Sequence, residues 1–210
     1  MDSTDAADLI AELHEEKAEH EADDRFRNRA ALLIACLAAV LAIGGLGGGN
    51  ATDDMIGSNI KASDAWAFYQ AKNVRQTMYE IAADEVESQL ASGGIASAAR
   101  PAAEKRLAEY RKTIERYDSE PDPKAPNDPL KGEGKKEIRE RAKHFEAGFE
   151  QASERDNNFD LAEVLLQLAL VLGSVAILAL SRWVLILSAG IGLVGALLTL
   201  NGFLLLVPLG

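Results

Sequence analysis

The chain has 210 residues, with 22 Lys and Arg against 33 Asp and Glu and a formal net charge of −11. That acidity excludes nucleic acid as a main partner, because phosphate binding needs a basic surface. A single cysteine, Cys36, excludes an intrachain disulfide, and three histidines leave little material for a metal site.

The first 29 residues are acidic and helix-prone. Ser3 or Thr4 suits the helix cap, Asp5 and Asp8 suit the first turns, and Leu9, Ile10 and Leu13 give a short apolar edge. This segment either protrudes into the cytoplasm or fuses with the first span. That span is an uncharged run, Ala30 to Gly49. A helix of that length rises about 30 Å, the thickness of a bilayer's hydrocarbon core. A secretory signal would begin with a basic region near the N-terminus, so this segment is read as a retained span. Gly45 and Gly49 form G-x-x-x-G, as do Gly44 and Gly48, which lets helices approach closely. Cys36, mid-span, reads as a small packing residue. Asn50-Ala51-Thr52 matches the N-glycosylation pattern but abuts the span, and is read as incidental.

Residues 53–91 read as a long helix. Ile60, Ala67, Val74 and Ile81 recur every seven residues, with Ala71 and Met78 between them, a coiled-coil-like stripe. Trp66, Tyr69, Asn73 and Gln76 form a second, more polar stripe. With Gln70 they are the candidate helix-packing or partner face. About 25 Å of straight helix separates Trp66 from Gly49, too far for an interfacial aromatic belt. The aromatics are therefore expected to meet another helix, the one carrying Phe145 and Phe149. Gly93 and Gly94 break the helix.

A second helix is expected from Arg100 to Tyr117, with Pro101 in its first turn and Ala103, Leu107, Tyr110, Ile114 and Tyr117 on one face. The proline-rich stretch 118–134 reads as an extended, mobile linker. A third helix starts near Lys135, carries Ile138, Phe145, Ala152 and Phe159 at seven-residue spacing, and runs toward the second span. The second and third helices are expected to pack back along the first. The rival arrangement pairs the stripes between chains of an oligomer.

The second span is Leu161–Leu180, with Glu163 close enough to its edge to reach the headgroups. The third is Val184–Val207. Ser181, Arg182 and Trp183 join them in a tight hairpin, with Trp183 at the interface. Lys17, Arg25, Arg27 and Arg29 precede the first span and Arg182 lies in the hairpin, whereas only Lys61 comes closely after the first span. The positive-inside rule then puts the N-terminus and the hairpin in the cytoplasm and the middle region outside, the periplasm in a bacterium. Gln167, Ser174, Ser188, Thr199 and Asn201 are polar groups within the spans. They read as interhelical hydrogen bonding rather than as a transport path. Gly192 and Ala196 make a further small-x-x-x-small pair, which with Gly45, Gly49 and Gln167 completes the candidate span-packing set.

No catalytic, cofactor-binding or metal residue is predicted. Asp156, Asn158 and Asp160 begin like a calcium loop, but the sixth and twelfth positions are Leu161 and Gln167 rather than Gly and Glu. Glu16 and His20 are one turn apart on an acidic helix, the spacing a solvated charged face offers by chance. No G-x-S-x-G, H-E-x-x-H, P-loop or dinucleotide fingerprint is present.

The run "IKASDAWAFYQAK", Ile60 to Lys72, together with Gln167 and "RWVLILSAGIGLVGALL" in the last span, resembles a bacterial membrane family, domain of unknown function 4337. The resemblance covers the chain from about residue 25 onward. It implies a charged N-terminal helix, one span, a helical charged middle and a closing two-span hairpin. It brings no known activity, and hence no catalytic residues. The proline-rich stretch departs from the family's more continuous charged helix.

The expected fold is an all-α integral membrane protein with three transmembrane helices and a long coiled-coil-like region between the first and second. The expected role is a non-enzymatic structural or interaction module in a bacterial inner membrane, self-associating or binding a membrane-protein partner through its middle. The alternative is a subunit of a transport or channel assembly. No cofactor is expected.

Overall fold

A computed structural model describes residues 3–207, with side chains for Leu13, His14 and residues 16–207. The expected caps at Ser3 or Thr4, the acidic first turns at Asp5 and Asp8, and the edge residues Leu9 and Ile10 lie outside the described side chains. Four helices make up the described residues: α1 (Ser3–Ala91), α2 (Arg100–Asp118), α3 (Lys135–Ala179) and α4 (Arg182–Leu204). Three of them, α1, α3 and α4, are long and apolar enough to cross a membrane.

The N-terminal segment, first span and middle helix are one 89-residue helix, α1. The glycine run Gly44–Gly49 does not interrupt it. Likewise the third predicted helix and the second span are one 45-residue helix, α3. Tertiary contacts divide the chain into a span unit, residues up to Asp53 with those from Ala152 onward, and a middle unit, Asp54–Gln151.

In the span unit α1 runs antiparallel to α3 and parallel to α4. Ile34 meets Gly173 at one end, and Gly47 meets Phe159 and Phe203 at the other. The α3–α4 turn therefore sits at the same end as Arg29. Leu37, Leu166 and Ala169 form the buried centre, with Leu33, Val40, Leu41, Leu170 and Ile191 around them. The hairpin is tighter than its sequence suggested. Leu180 takes a left-handed conformation (φ 50°) and Ser181 N–H bonds Ala176 O at 3.1 Å, a Schellman-type stop. Arg182 and Trp183 already belong to α4. The last helix also ends earlier than predicted, at Leu204. Leu205 is left-handed, and the Asn201 side chain clasps the backbone N–H and C=O of Val207 at 2.9 and 2.8 Å.

In the middle unit α2 and the first half of α3 pack along α1, but not on the coiled-coil-like stripe. Ile60, Val74, Met78 and Ile81 are 56%, 54%, 64% and 64% exposed, and Ala67 and Ala71 are exposed as well. The seam that does pack is Ala62, Ala65, Tyr69, Lys72, Gln76, Tyr79, Ala83, Val86 and Leu90, all buried or half-buried. Its alternating three- and four-residue steps are a heptad pattern too. Small residues let α3 approach at Ala62 and Ala65, where Ile138 and Ala142 are fully buried. Further along, Tyr79 meets Tyr110 and Tyr117 of α2 edge-on, with centroids 5.6 and 5.9 Å apart. The α2 face is the predicted one: Ala103, Leu107, Tyr110, Ile114 and Tyr117 are its half-buried residues together with Thr113.

The stretch 118–134 is a structured loop rather than an extended mobile linker. Pro121 and Gly132 form an antiparallel bridge, and Glu133 N–H bonds Glu120 O at 2.9 Å. Asp122 and Asp128 side chains accept from Lys124 and Leu130 N–H at 2.9 and 3.0 Å, the Asx turns that short acidic residues favour. Composition alone favoured disorder, but these local bonds and the grip of Lys72 on the loop outweigh it.

Candidate functional site

The loop is fastened to α1 by Lys72, the last residue of the aromatic run. Its side chain reaches inward along the seam and is 6% exposed. The ammonium donates to Glu133 O, pairs with Glu120 Oε2 at 3.6 Å, and lies 5.7 and 5.4 Å from the ring centroids of Phe68 and Tyr117. A buried cation is tolerated only when it is paired, and here a carbonyl, a carboxylate and two ring faces surround it.

One turn on, Gln76 is 3% exposed and donates to Asp118 Oδ1 at 3.0 Å, while its Oε1 has no protein partner. Asp118 also pairs with Lys135 Nζ at 3.5 Å, and Lys135 donates to Asn73 Oδ1 at 3.1 Å. Glu137, in the first turn of α3, is the loop's second anchor. It accepts from Ser119 Oγ at 2.7 Å and Glu120 N–H at 3.1 Å. Burial opposes its ionisation, but those two bonds, its own amide and Lys136 outweigh burial and hold the carboxyl below its ordinary 4.5. The helix N-terminus favours the same charge. A Cβ at Gly134 would overlap Glu120 N and the Glu137 carboxylate, and Gly132 holds a left-handed φ of 129°. Both glycines are therefore required by the close approach of loop and helix.

The aromatic pair lies nearer the N-terminal end of the same seam. Trp66 and Tyr69 meet edge-on, 5.6 Å between centroids. Trp66 Nε1 donates to Glu146 Oε1 at 2.7 Å, and Arg139 donates to the Tyr69 hydroxyl at 2.6 Å. Both rings pack against Ile138 and Ala142. The expected helix is thus the one met, through residues other than Phe145 and Phe149; Phe145 instead lies 5.7 Å beneath the Lys61 ammonium. Of the five predicted face residues, Trp66, Tyr69, Asn73 and Gln76 make contacts within the chain, and Gln70 is exposed.

The span set is divided differently. A Cβ added at Gly45 or Gly49 would meet nothing within 4 Å, because the packing glycines of α1 are their neighbours Gly44, Gly47 and Gly48. A Cβ at Gly47 would lie 2.5 Å from the Phe159 ring and 2.8 Å from that of Phe203. Gly192 does pack: a Cβ there would lie 2.5 Å from Leu37 Cδ2. Ala196 is half-buried and Gln167 is exposed, bonded to Glu163 Oε1 at 2.8 Å. The remaining polar span residues bond within the chain. Ser188 donates to Ala169 O at 2.6 Å, Thr199 to Gly195 O at 3.0 Å and Ser174 to Leu170 O at 2.9 Å. Asn201 donates to the fully buried Asn158 at 2.7 Å.

The acidic stretch 156–160 takes part in helix packing: Asp156 accepts from Thr52 Oγ1 at 2.7 Å, and Phe159 fills the glycine pocket. Among the described residues no group of three or more His, Cys, Asp or Glu could hold a metal ion. Sequence reasoning did not single out Lys72, Glu137 or Gly47, and weighed Asn158 only within a rejected calcium-loop pattern. Lys72 had a findable signal, its place in the 3-4 spacing of the seam; Glu137 and Asn158 had none, since their partners are remote in sequence.

The arrangement of spans, middle helices and closing hairpin has a counterpart among known families. The family model described as domain of unknown function (DUF4337) matches residues 26–205. The chain belongs to that family. The matched region holds the Lys72 clasp, the aromatic pair, α1 from residue 26 onward, α3 and α4. No curated protein and no solved structure matches the chain significantly.

Proposed function

We propose that the protein is a non-enzymatic interaction module of a bacterial inner membrane, whose middle unit takes the apolar face of another helix onto the outward stripe of α1. The observation that carries this reading is the exposure of Ile60, Val74, Met78 and Ile81 while α2 and α3 occupy the opposite seam. A regularly spaced apolar row on a helix otherwise rich in charge is the surface a helical partner covers. The clasp at Lys72 and Glu137 fixes α2, the loop and α3 on the seam and leaves the stripe open. Placing the N-terminus in the cytoplasm and the middle unit outside agrees with Arg25, Arg27, Arg29 and Arg182 at one end of the span unit.

The experiment is capture in native membranes, with a photo-crosslinking residue at Ile81, which is 64% exposed on the same row. The proposal expects a discrete crosslinked species that disappears in the Val74→Glu/Met78→Glu double variant, with insertion and helix content unchanged. A double variant that captures the same species in the same yield would refute it. The alternative, a transport or channel subunit, would require solute flux in reconstituted liposomes. The polar span groups that would line a path are engaged in bonds within the chain.

A further inference from the structure

We infer that the occupant of the outward stripe is a second copy of this chain, lying parallel and in register. The inference rests on the proposed interaction role and names its partner. Ile56 and Ile60, Ala67 and Ala71, and Met78 and Ala82 are pairs four residues apart that recur every eleven residues. An eleven-residue period is 3.67 residues per turn, close to the natural 3.6, so the row keeps to one face of α1 along the middle unit. A partner that tracks this row over several turns must carry the same period. A second α1 does so by construction.

Register and direction have physical causes as well. Copies inserted in one bilayer with the same topology run parallel, so equal heights meet. Ala67 and Ala71 then face Ala67 and Ala71, which permits close approach at the centre. Ile56 and Ile60 on the N-terminal side, and Val74, Met78 and Ile81 beyond, supply bulk at either end. Val74, Met78 and Ile81 are each more than half exposed, so a second copy would cover surface that the fold leaves in water. Between Ile56 and Ile81 the charges at the edge of the row are Asp64 and Arg75, themselves eleven residues apart. In the span unit, Gly45 and Gly49 stand one further eleven-residue interval back in the sequence, and a Cβ added at either would meet nothing within 4 Å. Small residues free of contacts in a span permit a second helix to approach.

The test uses the full chain in native membranes, with Cys36→Ser as background and single cysteines along α1. Ala67→Cys, Ala71→Cys, Val74→Cys and Met78→Cys lie on the row; Asn73→Cys and Glu80→Cys are exposed but off it. Oxidation should give homodimers several-fold more readily at the row positions, and tagged and untagged copies should crosslink at the same position. Asp64→Leu, which removes a like-charged meeting at the edge of the row, should raise the dimer yield. Suppose instead the row cysteines are shielded from maleimide but give no homodimer. The second copy is then overturned, while the interaction role stands. Equal labelling and equal crosslinking on and off the row would overturn both.

Discussion

Replacing Lys72 is the sharpest test of the middle unit's architecture, because one side chain holds the loop to the seam. Lys72→Met keeps much of the stem's packing and removes the ammonium. The loss has three parts. The bond from a charged donor to Glu133 O contributes about 1.5–3 kcal/mol. The two ring faces add about 0.5–1 kcal/mol each. The pair with Glu120 adds at most about 1 kcal/mol, since that carboxylate is 36% exposed and rehydrates when abandoned. Allowing for non-additivity, the loop should open about 2–4 kcal/mol more easily, a factor of about 30–700 at 1.4 kcal/mol per decade. Hydrogen exchange on the full chain in nanodiscs reads this directly. The amides of Lys131 and Glu133, bonded to Asp128 O and Glu120 O, should exchange faster by that factor. The Leu185 and Leu205 amides of the span unit should be unchanged. Exchange at Lys131 and Glu133 within about threefold of the parent would refute the argument that Lys72 orders the loop.

Two further outcomes depend on particular contacts. Glu137 has a folded-state pKa below its ordinary 4.5, so its contribution is present above that value and is lost as pH falls through the folded pKa. Protection of the Glu133 amide, corrected for intrinsic exchange, should be flat from neutral pH to about 5 and fall only below the ordinary carboxyl range. Glu137→Gln should abolish that step and lower protection at neutral pH. In the span unit, Gly47→Val should destabilise by about 1–3 kcal/mol, because its new atoms meet the Phe159 and Phe203 rings, whereas Gly45→Val should leave thermal stability in detergent unchanged. Equal melting temperatures for the two variants would contradict the assigned packing face.

The sequence by itself determined the parts of this protein that depend on local periodicity and length. Three apolar runs of bilayer length, the break at Gly93–Gly94, the α2 face from Ala103 to Tyr117 and the start of α3 at Lys135 are all legible, because each is set by residues within a few turns of one another. The merging of segments into single helices was only half visible. Nothing between Arg29 and Ala30, or between Phe159 and Leu161, signals a stop, yet nothing demands continuity.

Only the tertiary structure decided which face of α1 meets its own chain. Two rows of similar spacing run along residues 56–90, and hydrophobicity favours the one holding Ile60, Val74, Met78 and Ile81. The fold chose the other, with alanines, tyrosines, Lys72 and Gln76. Close backbone approach, ring contacts and a satisfied buried cation outweigh apolar content there, and the partners of Lys72 and Gln76 lie 61 and 42 residues away. The proline-rich loop is ordered for the same reason, by bonds to an element that composition cannot see. The row left in water is the part of α1 that a single chain leaves uncovered.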